Sequence, residues 1–232
     1  KSEDENLKNS NAIISLIFKN RKSYHNIPSL STTLLKWDKV LPIYSQLIKS
    51  ESPKDIEITS IQDGSLDVIL NIDLDVAISL TEIIKFGLMA FGGFLSYKMK
   101  TKDIVASYLG NEKLIKDENT REKEMLDNIR SAVERKLIEQ HLEKMKKDKS
   151  INQESIDKKA EVVSKVLTEH IINGNDVKLL ITSTNNETID ELKKTIKEER
   201  TKNIKMFSKL SEKDIKLLQD KYTVKKDDLT IK

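Results

Sequence analysis

Between Phe86 and Tyr97 the chain reads FGLMAFGGFLSY, twelve residues without a charge, fenced by Lys85 and Lys98, in a sequence where Asp, Glu, Lys and Arg make up 34%. A helix of that length covers about 18 Å, well short of the roughly 30 Å hydrocarbon core of a bilayer. Extending it back to Val76 supplies the length but takes in Glu82 and Lys85, each costing about 2.5–3.5 kcal/mol at a bilayer centre. The two stand three apart and can pair, which softens that cost without removing it. Membrane contact is therefore a minor expectation, in the form of a membrane-disrupting effector acting through residues 86–97.

Gly87, Gly92 and Gly93 lie within seven residues of this segment. A helical glycine costs about 1 kcal/mol relative to alanine, so the cluster implies the close approach of another backbone. That approach suits either a central helix gripped by its own neighbours or a self-association surface. Phe86, Gly87, Met89, Phe91, Gly92, Gly93 and Phe94 are the residues expected to carry an assembly contact.

The remaining composition excludes more than it assigns. Apolar residues make up 37%, enough for a thin core, and 41 basic against 38 acidic residues leave a formal charge of +3, which supplies no strong field for nucleic acid. The absence of cysteine removes disulfides, thiolate nucleophiles and cysteine-bound metals. It fits a reducing, cytoplasmic setting. The first residues, KSEDENLKNSNAIISLIFKN, show no signal-peptide pattern.

Along the chain, AIISLIF (12–18) reads equally as a strand or a buried helical turn. NIPSLS follows as a loop, with Ser31 or Thr32 capping a helix to about Ser50, in which Pro42 predicts a kink near Asp38 or a split. Residues 56–72 alternate in apolarity on either side of Asp63-Gly64, a strong hairpin pair. Asp73 or Asp75 caps the helix carrying the uncharged segment. Met125, Ile129, Val133, Leu137 and then Leu142 or Met145 form one stripe on a long charged helix. A further helix with Ile156, Ala160, Val163, Leu167 and Ile171 stops at Gly174, a left-handed cap. DVKLLITST reads as a strand, followed by a short helix over 187–200 and a last one capped by Ser211 or Asp214.

The pattern predicts an α+β chain, predominantly α: a helical bundle with a β-hairpin and a third strand able to join it. One main domain over 1–183 and a helical extension over 184–232 are expected.

Catalytic signatures are sparse. His25, His141 and His170 have no metal-binding partner at helical spacing, and no phosphate-binding glycine loop or nucleophile elbow occurs. No cofactor and no metal are implied. The turn Asn173-Gly174-Asn175-Asp176 is a candidate binding nest, although a helix-to-strand connection uses the same residues for ordinary geometry. RKLIEQH sets Arg135 and His141 six positions apart, a spacing that resembles the Arg-to-His motif of HEPN ribonucleases. That resemblance implies Arg135 on the scissile phosphate and His141 as acid or base, although a six-residue step leaves the side chains about 120° apart on an ideal helix.

At a broader level, IEITSIQDGSLDVILNID, the apolar helix after it, and the charged helices through HIINGNDVKLL resemble a group of bacterial proteins. These carry a Gly-Ser-Leu hairpin ahead of a hydrophobic helix. The resemblance implies an association with mobile elements or phage defence and supplies no catalytic residues. The expected function is non-catalytic, through a homo-oligomer or a protein partner, with the metal-independent ribonuclease as the alternative.

Overall fold

The computed structural model describes residues 11–19, 24–49, 57–62, 66–108, 110–145, 152–182 and 187–230. Four strands, β1 (Asn11–Phe18), β2 (Glu57–Gln62), β3 (Leu66–Asp73) and β4 (Asp176–Thr182), form one sheet in the order β2-β3-β1-β4. All neighbouring strands are antiparallel. Six α-helices are found among the described residues: α1 (Ile27–Lys49), α2 (Leu74–Ser107), α3 (Glu112–Lys144), α4 (Gln153–Ile172), α5 (Glu187–Phe207) and α6 (Glu212–Lys221). The fold is α+β and predominantly α.

The β1–α1–β2 crossover steps over β3, and the β3-to-β4 crossover steps over β1. This is the split βαβ topology of ferredoxin-like sheets, with the second crossover enlarged from one helix to three (α2, α3 and α4). The later strand thus reaches the hairpin only through β1, making four strands where the sequence suggested three. β1 explains the ambiguity of AIISLIF, because residues 12–18 are all buried and a strand buried on both faces shows no alternation. Asp63-Gly64 lies outside the described residues, but the strands flanking it pair as expected, with Ile58 opposite Leu70 and Ile61 opposite Val68.

One sheet face supplies Ala12, Ile14, Leu16 and Phe18 of β1, Val68, Leu70 and Ile72 of β3, and Val177 and Leu179 of β4 to a single buried cluster. Helices α1 to α4 add Trp37, Tyr44, Ile83, Ile84, Leu95, Val133, Leu137, Val163 and Leu167 to it. The cluster continues into α5 through Ile189 and Ile196, and past it through Leu218, Tyr222, Val224 and Leu229. The C-terminal helices therefore share one core with the sheet.

Local signals explain most boundaries. Asp73 caps α2, its side chain accepting from the N–H groups of Asp75 and Val76, and Ser211 and Asp214 close a capping box on α6. α1 begins earlier than expected, at Ile27, because Asn26 accepts from Ser29 N–H at 2.9 Å and Pro28 falls in the first turn, where it has no helical donor to lose. Pro42 does not split α1. The carbonyl it leaves without a helical donor belongs to Asp38, an exposed residue.

Candidate functional site

A constellation of polar groups surrounds an apolar hollow where α2, the α4–β4 turn, α5 and α6 meet, enclosing about 580 Å3. Its position follows from how α2 is gripped. A side chain at Gly87 would collide with Ile171 of α4. One at Gly92 would place its Cβ 2.6 Å from Asn203 Oδ1 on α5. The absence of both side chains lets α4 and α5 close on the same stretch of α2. Asn203, itself buried, then donates its Nδ2 to the Leu88 carbonyl at 2.7 Å, tying α5 to α2 across the sequence.

α4 ends in a Schellman motif. Gly174 takes φ +72°, its N–H reaches the Ile171 carbonyl at 2.9 Å, and Asn175 N–H reaches the His170 carbonyl at 3.1 Å. Asn173 N–H bonds the Glu169 carbonyl and Val177 N–H bonds Asp176 Oδ1. The backbone donors that would make a nest are therefore committed to the turn, and the candidate nest is a helix cap. What the turn offers the cavity is the Asn175 side chain, which is buried and accepts Lys19 N–H at 2.9 Å.

Behind the wall lies a buried network. Asp176 is 1% exposed; one carboxylate oxygen accepts from Val177 N–H and the other from Arg200 on the cavity wall. The Asp176 carbonyl accepts His170 Nε2–H at 2.9 Å, which sets the tautomer. The His170 ring stands edge-on to Trp37 and Phe18, with centroids 5.0 and 5.3 Å away. Burial pushes its pKa down to about 4, with the nearby Lys19 charge adding to the effect and the bond to Asp176 opposing it. His170 is thus a neutral structural donor at neutral pH. Partial burial, together with the charges of Arg200 and Lys178, holds the Lys19 ammonium below the usual lysine range against the attraction of Asp176. The apolar floor comes from Leu88, Phe91, Ile171, Ile204 and Phe207, and α6 closes the hollow with Ile215 and Gln219.

Of the residues expected to form an assembly surface, Gly87, Phe91, Gly92 and Phe94 are buried within the chain, Phe86 is half-buried, and Met89 and Gly93 are exposed. Phe91 stacks on Phe94, with centroids 6.0 Å apart, and meets Phe207 of α5 at 6.4 Å. Arg135 and His141 are not brought together. Arg135 lies on the exposed side of α3, while His141 is 3% exposed with Nδ1 2.6 Å from the Leu47 carbonyl. Among the described residues no group of three or more His, Asp or Glu could hold a metal ion, and no helix is long and apolar enough to cross a membrane.

Sequence reasoning missed Arg200, Asn203, Ile204 and Phe207. Their three- and four-residue spacing marks one helical face, but the predicted helix stopped at Arg200. A second hollow, about 490 Å3, lies between α1 and β2, lined mainly by aliphatic residues and carrying Asp38 as its only ionisable group.

Comparison with known proteins finds no matching family model, no matching curated protein and no matching solved structure.

Proposed function

We propose that this chain is a non-catalytic binding module and that the α2–α5–α6 cavity is where it takes a small ligand. The observation carrying the reading is the wall chemistry: an apolar floor over which Lys19, Asn175, Arg200, Asn203 and Gln219 converge from four segments of the fold. Concave apolar pockets with a few fixed polar groups are the usual form of small-molecule sites, and several hundred Å3 is the usual size. The Asp176–Arg200 pair and the Asn203 clasp support the reading because they hold the wall rigid before a ligand arrives. Action through a protein partner or a second copy, a cytoplasmic setting, and the bacterial mobile-element or phage-defence association implied by the hairpin resemblance belong to the same proposal.

The test uses N-phenyl-1-naphthylamine, a neutral apolar dye that brightens when it leaves water. The wild type is expected to bind it saturably at one site, and Ile204→Trp, which crowds the cavity from α5, to lose that binding while retaining its circular dichroism spectrum. Saturable binding that Ile204→Trp leaves unchanged would place the dye elsewhere and remove the support for this site.

A further inference from the structure

Two cations stand on the cavity wall, and they are not equivalent. Arg200 is held by Asp176, a carboxylate buried beneath it, so its charge is answered from within the protein. Lys19 is at the end of β1, where its backbone N–H is tied to Asn175 and its side chain is left to the rim. Among the described residues no carboxylate forms an ion pair with Lys19. Asp176 and, more weakly, Asp67 attract it, but Arg200 and Lys178 repel it, and Asp176 is already committed to Arg200. The remaining carboxylate on the wall, Glu212, is exposed at the first position of α6.

Opposite this rim the wall is hydrocarbon: Leu88 and Phe91 from α2, Ile204 and Phe207 from α5. Phe91 and Phe207 are themselves in contact, with centroids 6.4 Å apart at a 54° tilt, so together they form a continuous aromatic surface against which a flat ring can pack. A ligand that filled the hollow would meet apolar surface along its body and, at its end, one ammonium group engaged in no ion pair among the described residues.

We infer that the cavity recognises an amphipathic monoanion, an aromatic or branched acid whose anionic group sits at Lys19 and whose body lies along Leu88, Phe91, Ile204 and Phe207. The inference rests on the reading of this cavity as the binding site and specifies its ligand class. Asn175 completes the rim. Its carbonyl oxygen accepts Lys19 N–H, which fixes the side chain in the wall beside the lysine. A dianion would leave a second charge with no free cation to meet it, since Arg200 is engaged. A neutral ligand of the same shape would gain the apolar contacts alone.

The experiment compares N-phenyl-1-naphthylamine with 8-anilinonaphthalene-1-sulfonate, which has the same ring system and adds one sulfonate. Wild-type protein is expected to bind the sulfonate about tenfold more tightly, a margin suited to a partly solvated ion pair. Lys19→Gln is expected to bring the two dissociation constants together by weakening the sulfonate alone, with an unchanged melting temperature because the Lys19 side chain holds nothing in the fold. Lys178→Gln, off the wall, is expected to keep most of the margin. Equal wild-type affinities, or a sulfonate preference that survives Lys19→Gln, would overturn the anion assignment and leave the cavity reading standing. Failure of both dyes to bind would overturn the cavity reading itself.

Discussion

The α1–β2 groove and the α2–α5–α6 cavity enclose about 490 and 580 Å3, and their walls differ in kind. The groove is bordered by Ile27, Leu35 and Ile58, which are 83, 55 and 56% exposed. It can gather apolar surface, but only Ser31 and Asp38 offer polar side chains. The cavity has a comparable apolar area and, in addition, two amides and a cation fixed by the fold: Asn203 by the Leu88 carbonyl, Asn175 by the Lys19 backbone and Arg200 by Asp176. Volume therefore does not distinguish a site from a surface hollow. Polar groups already locked in place do, because they orient a ligand without a further ordering cost.

The comparison also holds for stability, since the cavity wall is built into the core and the groove rim is not. The largest expected effect is at Asp176. Asp176→Ala leaves Arg200 partly buried without its carboxylate, which is expected to cost about 3–5 kcal/mol in chemical denaturation and to abolish dye binding. Asp38→Ala, on the exposed groove rim, is expected to stay within about 0.5 kcal/mol. Similar losses at both positions would erase the distinction.

Next comes the pH dependence of the buried network. His170 titrates at about 4 in the fold against about 6.5 in an unfolded chain. Between those values the unfolded state binds the extra proton, so stability is lost as pH falls from about 6.5 to 4, by about 3 kcal/mol in all. Glu169 works against this trend: burial raises its pKa against the pull of Lys36, so the fold takes up its proton first and gains stability on acidification. The His170 contribution is isolated by comparing wild type with His170→Gln, whose unfolding free energy is expected to change less over the same window. Parallel profiles would show that His170 is not the titrating group.

Smaller and opposite effects are expected at the adjacent glycines. Gly92→Ala pushes against Asn203 Oδ1 and breaks the clasp on Leu88, for a net loss of about 1 kcal/mol after the gain in helix propensity. Gly93→Ala meets nothing within 4 Å and is expected to stabilise by about 0.5–1 kcal/mol. Thermal unfolding of the two variants reads the sign directly. A destabilised Gly93→Ala accompanied by a fall in molecular mass would instead make that face a contact between copies. The least effect is expected from Ile27→Ser on the groove, within about 0.5 kcal/mol.

What could be read from the sequence was local. The Asp73 cap, the Gly174 turn, the paired strands of residues 57–62 and 66–73, and the buried stripe of α4 each depend on residues a few positions apart, where spacing fixes geometry. The glycines of α2 announced a close approach but not from where, because Ile171 and Asn203 lie 84 and 111 positions beyond Gly87 and Gly92 in the chain. Arg135 and His141 illustrate the converse. Their spacing was visible, but burial, which spacing does not encode, put one in solvent and the other against Leu47. The cavity could not be read at all, since its polar clasps, Lys19 to Asn175, Arg200 to Asp176 and Asn203 to Leu88, join segments that meet only in the folded chain.

The most direct test of the binding account is hydrogen exchange followed by mass spectrometry, with and without saturating N-phenyl-1-naphthylamine. The account predicts slower exchange in peptides covering 171–177 and 200–208, with residues 27–41 and 57–62 unchanged. Protection confined to α1 and β2 would contradict it and make the apolar groove the site.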